Sequence, residues 1–290
     1  MEHPDETPPS TEPTAATPAR PYYPHIAHTI WELERRVRRG RPSDVARRSL
    51  LSAHVEQLRM MEEHLDVPVD GRSFALLQGR IAAGALLLPG EREGCERLRS
   101  LSEHLHAEGF TVLASTLSYR TLDRIGVSPT YWQTCLDEAE NRYDMLDHYA
   151  SRIAVVGVGL GAAVALHLAS RKRVYAVGAV FPVLDAAVGF SDSCRALLRR
   201  VLPRTTRGPM SWPLQRRTAA RQAQGKIGAP VVVVAEERRD RSDAARSLRA
   251  VRELMAHRPL QLLLVPEAGP VAPDALPSEI LAQLVAFLKR

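Results

Sequence analysis

Three glycines at alternate positions, Gly157, Gly159 and Gly161, follow the apolar run Ile153 to Val156 and open a helix-like stretch that ends at Ser170. Two kinds of chemistry use glycines in such a strand-to-helix turn. With Ala162, the spacing satisfies G-x-G-x-x-G/A, in which the backbone closes on the pyrophosphate of a dinucleotide. It also fits the frame of G-x-S-x-G, a sharp turn whose small flanks let a nucleophilic hydroxyl stand above the sheet. Gly159 then occupies the place of the nucleophile, and glycine has no atom with which to form an acyl-enzyme.

The dinucleotide motif normally opens the first unit of its sheet and needs a carboxylate at the end of the next strand for a ribose hydroxyl. Here at least two strands precede the turn, the next strand ends at Val180, Phe181 and Pro182, and the nearest carboxylate, Asp185, lies 28 positions past Gly157. Other groups able to do chemistry are scattered. Ser191, Ser193 and Cys194 fall in a long connection, His167 lies on the helix after the turn, and His104 and His106 lie on an earlier helix. None has a nucleophile-and-base spacing, so each reads as a surface or core-satisfying residue.

The elements around the turn follow from apolar periodicity. Phe74 to Gln78 and Ala85 to Leu88 read as neighbouring strands, followed by a helix carrying Leu98, Leu101 and Leu105 and stopped at Gly109. Thr111 to Ala114, Ile153 to Val156, Tyr175 to Val180, Val231 to Val234 and Leu260 to Val265 read as further strands. Helices are expected over Tyr131 to Tyr149, Asp243 to Ala256 and Ser278 to Leu288. Fully apolar strands alternating with helices predict an α/β fold with a mostly parallel sheet covered on both faces.

Ahead of this pattern, residues 1–24 are rich in proline, threonine and glutamate and predict a disordered tail. Residues 25–68 predict two helices as an amino-terminal extension, the first striped by Ile26, Ile30, Leu33 and Val37. The second is capped by Ser43 and striped by Leu51, Val55, Leu58 and Leu65. That extension reads as an appendage docked on the main domain or as a homodimer contact. Arg35, Arg36, Arg38, Arg39 and Arg41 make a partner-binding arm the alternative. The remaining residues, 69–290, form the main domain.

The chain of 290 residues carries a formal charge of +6, and its 39 basic residues include only three lysines, leaving 36 arginines. Cys95, Cys135 and Cys194 are far apart and odd in number, which argues against a disulfide framework and fits a reducing, cytoplasmic setting. The acidic, proline-rich start does not have the form of a signal peptide, and no apolar run reaches the ~18 residues of a membrane span. Basic charge concentrates in residues 186–228, where nine cations stand against one anion, Asp192, for a net +8. Arg199 and Arg200 interleave there with Leu197, Leu198, Val201 and Leu202, and Trp212 lies between Ser211 and Pro213. This segment reads as a solvated face, or as a surface for an anionic ligand, an anionic lipid surface, nucleic acid or an acidic protein.

The segments Ala85 to Glu91, Gly109 to Ala114, Tyr131 with Trp132, and Ile153 to Ser170 together resemble the α/β-hydrolase family, nearest to its bacterial carboxylesterases and monoacylglycerol lipases. The likeness runs over about residues 74–290. It implies an α/β-hydrolase fold with residues 186–228 as a lid. It also implies a triad whose positions are altered here: Gly159 for the serine, Arg239 with Asp240 one place later for the acid, and Pro270 for the histidine, no histidine following His257. The family's His-Gly oxyanion loop reads Pro89-Gly90, and Glu91 follows where a carboxylate would oppose developing negative charge.

Losing both nucleophile and base removes most of an acyl-transfer site's advantage. The resemblance therefore implies a pseudoenzyme, without cofactor or metal, that binds an apolar or anionic ligand or a partner near Gly90, Glu91, Leu160, Arg199, Arg200 and Trp212. A hydrolase of esters or lipids with displaced catalytic groups is the alternative, and a dinucleotide-binding protein the third.

Overall fold

The computed structural model describes residues 24–38, 43–80, 82–90, 93–117, 131–182, 227–236, 251–252, 255, 260–265 and 276–290. Two helices come first, α1 (Pro24–Arg38) and α2 (Asp44–His64). They are followed by β1 (Phe74–Leu76), β2 (Ala83–Leu88), α3 (Arg99–Ala107), β3 (Phe110–Ala114) and α4 (Tyr131–Asp147). Then come β4 (Arg152–Val158), α5 (Leu160–Arg171), β5 (Ala176–Val180), β6 (Val231–Glu236), β7 (Leu260–Val265) and α6 (Ser278–Lys289). Val251, Arg252 and Met255 are helical within the segment expected as a helix from Asp243. The proposed tail, residues 1–23, lies outside the described residues, and Pro24, placed in that tail by the sequence pattern, already belongs to α1.

The seven strands form one sheet in the order β1-β3-β2-β4-β5-β6-β7, with only β1 antiparallel to its neighbour. Strands β2, β3, β4 and β5 are almost entirely buried, as parallel strands covered on two faces must be. Their alternate residues separate into two cores. Leu86, Leu88, Leu113, Val155 and Val177 pack with residues of α1, α2, α4 and α5. Ala85, Leu87, Val112, Val156 and Val180 pack with α3 and α6. Cys135 belongs to the first core and Cys95 to the second, so the sheet stands between these two buried thiols.

The structure corrects three details. β1 and β2 are not adjacent, because β3 lies between them, pairing antiparallel with β1 and parallel with β2. β1 stops at Leu76 rather than Gln78, whose backbone N–H donates to Thr111 Oγ1 at 3.2 Å. Leu65 is not part of the buried stripe of α2: it is the C-cap residue and 42% exposed. The stripe continues instead through Glu62, four residues after Leu58 and only 7% exposed.

A charged residue survives there because its partners are built in. The Glu62 carboxylate accepts the backbone N–H of Ser73 at 2.7 Å and the hydroxyls of Ser73 and Thr116. Ser73 Oγ also contacts Ser115 Oγ at 3.2 Å, and Arg142 Nε donates to Ser115 Oγ at 3.1 Å. The network ties α2 to the residue before β1, the residues after β3, and α4, with few polar groups left to lose on burial.

Candidate functional site

In a parallel sheet, ligands bind beyond the carboxyl ends of the strands. β4 is central there, and its last residues turn directly into α5. Gly159 is the single residue between them, with φ 52° and ψ −113°. This combination is sparsely populated by any residue bearing a β-carbon. Its N–H donates to Val180 O at 2.9 Å, pinning the turn to the end of β5. Phe181 follows Val180 with φ 45° and donates to Val234 O at 2.8 Å, so a second left-handed residue lies beside the turn.

The flanking glycines have no room to be anything else. A β-carbon on Gly157 would fall 2.1 Å from Gly161 O, and one on Gly161 would fall 2.4 Å from Leu88 O and 2.5 Å from Pro89 O. Backbone rather than side chain fills each space, so neither obstruction could rotate away. These approaches account for both glycines by strand-to-helix packing alone, with no phosphate required. The centre differs: among the described residues, a β-carbon on Gly159 would meet only Gly90 Cα, at 3.6 Å.

Gly90 lies two residues after β2, and Leu88 is in register with Gly157. The Gly90 N–H donates to Glu93 Oε2 at 3.2 Å, and the Glu93 N–H donates to Gly90 O at 3.2 Å. A carboxylate thus sits on the loop that faces the turn, where hydrolytic chemistry would want only donors. Sequence reasoning assigned that opposing charge to Glu91, which lies outside the described residues; Glu93, three residues after Gly90, was missed. A glutamate at this spacing, able to cap a glycine amide, is a weak signal.

Leu160 begins α5 with its side chain 1% exposed in the first core, so only its backbone faces the turn. His167 is buried on the same helix at 8% exposure. His104 is exposed and its Nδ1 lies 2.8 Å from Ser100 O, while His106 Nε2 lies 3.3 Å from Leu77 O. Arg199, Arg200, Trp212, Arg239, Asp240 and Pro270 lie outside the described residues, as do Asp185, Ser191, Ser193 and Cys194. Among the described residues no group of three or more His, Cys, Asp or Glu side chains could hold a metal ion. No helix among them is long and apolar enough to cross a membrane.

No protein-family model matches the chain, and no curated protein sequence does. Solved structures do. A lipolytic enzyme of the metagenome-derived pair LipS and LipT aligns over 76% of this chain and 98% of its own, at 12% identity and a TM-score of 0.58. Est1E from Butyrivibrio proteoclasticus, with ferulic acid bound, aligns over 75% of this chain and 94% of its own, at 13% identity and a TM-score of 0.56. The monoacylglycerol lipase of Paleococcus ferrophilus covers 74% of this chain and 99% of its own, at 16% identity and a TM-score of 0.51. At such identities the likeness is one of architecture, and together with the sheet order and the turn after β4 it assigns this chain the α/β-hydrolase fold.

Proposed function

We propose that this chain no longer hydrolyses esters and acts by binding a ligand or partner beyond the carboxyl ends of its strands. The observation that carries the reading is the open crest of the turn. Gly159 keeps a backbone conformation that a reactive side chain would have to adopt, with space for a β-carbon among the described residues, yet carries none. Acyl transfer needs an attacking oxygen or sulfur and a base within hydrogen-bond reach of it. The position matching the family's histidine is Pro270, and no histidine follows His257.

The ligand this reading favours is anionic. Residues 186–228 carry a net +8 on nine basic residues and one acidic residue, more than the +6 of the whole chain. A concentrated positive field of this kind raises the local concentration of anions. Lipid headgroups, nucleic acid and acidic proteins share that chemistry.

The deciding experiment is incubation of the purified full chain with a fluorophosphonate, read by intact mass. The expected result is an unmodified protein. An adduct abolished by substituting one serine or cysteine would replace this reading with that of an active hydrolase whose catalytic groups are displaced. Binding to anionic vesicles and to nucleic acid, each measured at two salt concentrations, separates the partner classes. Calorimetric titration with a dinucleotide tests the cofactor reading.

A further inference from the structure

Helix α1 presents two different faces. Inward, Ile30 and the partly buried Leu33 pack in the first core, and Glu34 Oε1 lies 3.8 Å from His54 Nε2 of α2. Outward, at helical spacing, stand His28, Trp31 and Arg35, all three exposed. The Trp31 indole is 52% exposed. Its neighbours are polar: the Arg35 guanidinium carbon lies 5.2 Å from the ring centroid, and the His28 ring lies 6.2 Å away, tilted by 42°.

From Arg35 the sequence continues Arg36, Val37, Arg38, Arg39, Gly40 and Arg41, five arginines in seven residues with no acidic residue among them. Three of the five, Arg35, Arg36 and Arg38, belong to α1. Of the two carboxylates on this helix, Glu34 is turned toward His54 and Glu32 is half-buried, so neither stands with Trp31 and Arg35 among the exposed residues.

We propose that the outer face of α1 docks on an anionic lipid surface, with the arginines at its carboxyl end meeting the headgroups and Trp31 entering the interface. Clustered arginines on a helix are attracted to anionic headgroups, and an indole, apolar in body with one polar N–H, partitions to the boundary between headgroups and acyl chains. The indole also favours lipid over nucleic acid. Single strands stack their bases on open aromatic faces, whereas one face of Trp31 lies beneath the Arg35 guanidinium. The phosphates of a duplex would engage the arginines alone. This surface is separate from the turn after β4 and from residues 186–228, and it stands whether or not the chain hydrolyses esters.

The test is sedimentation of the full chain with vesicles of phosphatidylcholine alone and of phosphatidylcholine with about 30% phosphatidylserine, at two salt concentrations. Binding should require phosphatidylserine and weaken with salt. Replacing Arg35, Arg36, Arg38, Arg39 and Arg41 together by Gln should lower the affinity at least about a hundredfold, since each cation near such a surface contributes roughly fivefold. Bound native chain should show blue-shifted tryptophan emission quenched by brominated lipid, and Trp31→Phe should lose most of both changes. Undiminished affinity of the five-glutamine variant would overturn the docking and place any binding elsewhere, residues 186–228 included. Should that variant not fold, Trp31→Phe decides: a shift and quenching equal to those of the native chain would overturn the proposal as well. Tighter binding of an oligonucleotide that depends on the same five arginines would replace lipid by nucleic acid. Labelling by a fluorophosphonate, which would refute the loss of hydrolysis, leaves each of these outcomes unchanged.

Discussion

A β-carbon on Gly159 would rest 3.6 Å from the α-carbon of Gly90, an ordinary contact, so among the described residues the crest of the turn after β4 is open to substitution while its two flanks are closed. The restriction at Gly159 is conformational, since φ is 52°. Gly159→Ser should therefore fold, at a cost of about 1–3 kcal/mol for forcing a side chain into that region. Urea denaturation measures this cost. The variant should hydrolyse a p-nitrophenyl ester no faster than Gly159→Ala, because a serine without a base stays a poor nucleophile. Hydrolysis specific to the serine variant would place a base within its reach and refute the loss of the catalytic pair.

Gly161→Ala should behave in the opposite way. Its new methyl group would meet two carbonyl oxygens, of Leu88 and Pro89, at 2.4 and 2.5 Å. Relief requires α5 to move away from the end of β2. A loss of at least about 3 kcal/mol is expected, or failure to fold. Thermal and urea unfolding of the pair Gly159→Ala and Gly161→Ala provide the comparison, and equal losses would mean that the turn does not pack as described.

The buried Glu62 gives a prediction far from the turn. Glu62→Ala would strand the Ser73 N–H and the Thr116 hydroxyl and leave the Ser73 hydroxyl only Ser115 Oγ, at 3.2 Å. With each unsatisfied buried group costing about 1–3 kcal/mol, the loss should reach about 3 kcal/mol or more. Glu62→Gln should lose less, because one acceptor oxygen remains for the three donors. Their urea midpoints, compared at unchanged m-values, test the order.

The readability of each feature in the sequence depended on how local its cause is. Gly157 and Gly161 were legible because contacts a few residues away, or across one register pair, forbid a β-carbon at both. The buried strands were legible because a parallel sheet covered on both faces leaves no polar side. The position of β3 between β1 and β2 was not, since it depends on pairings such as Phe74 with Ala114, 40 residues apart. Glu62 was hidden for a related reason: a carboxylate in a helical stripe reads as solvent-facing until Ser73 and Thr116 arrive from elsewhere. Glu34 and His54 lie on different helices, so their approach has no signature in spacing along one.

Tyr143 is one of the groups that make the fold sensitive to alkaline pH. Its hydroxyl donates to Arg173 O at 2.7 Å, and burial, followed by the charges of Asp147 and Asp144, pushes its pKa up from 10.0 to about 12. A phenolate could not donate to that carbonyl. The folded state therefore keeps its proton where the unfolded chain has lost it. The contribution of Tyr143 to stability is full below pH 10, falls as pH rises toward about 12, and is gone above. Tyr143→Phe should lose about 1 kcal/mol at neutral pH with the hydrogen bond. Its stability should decline less steeply than that of the native chain between pH 10 and 12, because one titrating group has been removed. Urea midpoints for both proteins across this interval make the test, and parallel curves would show that the Tyr143 hydroxyl is not held in its protonated form by the fold.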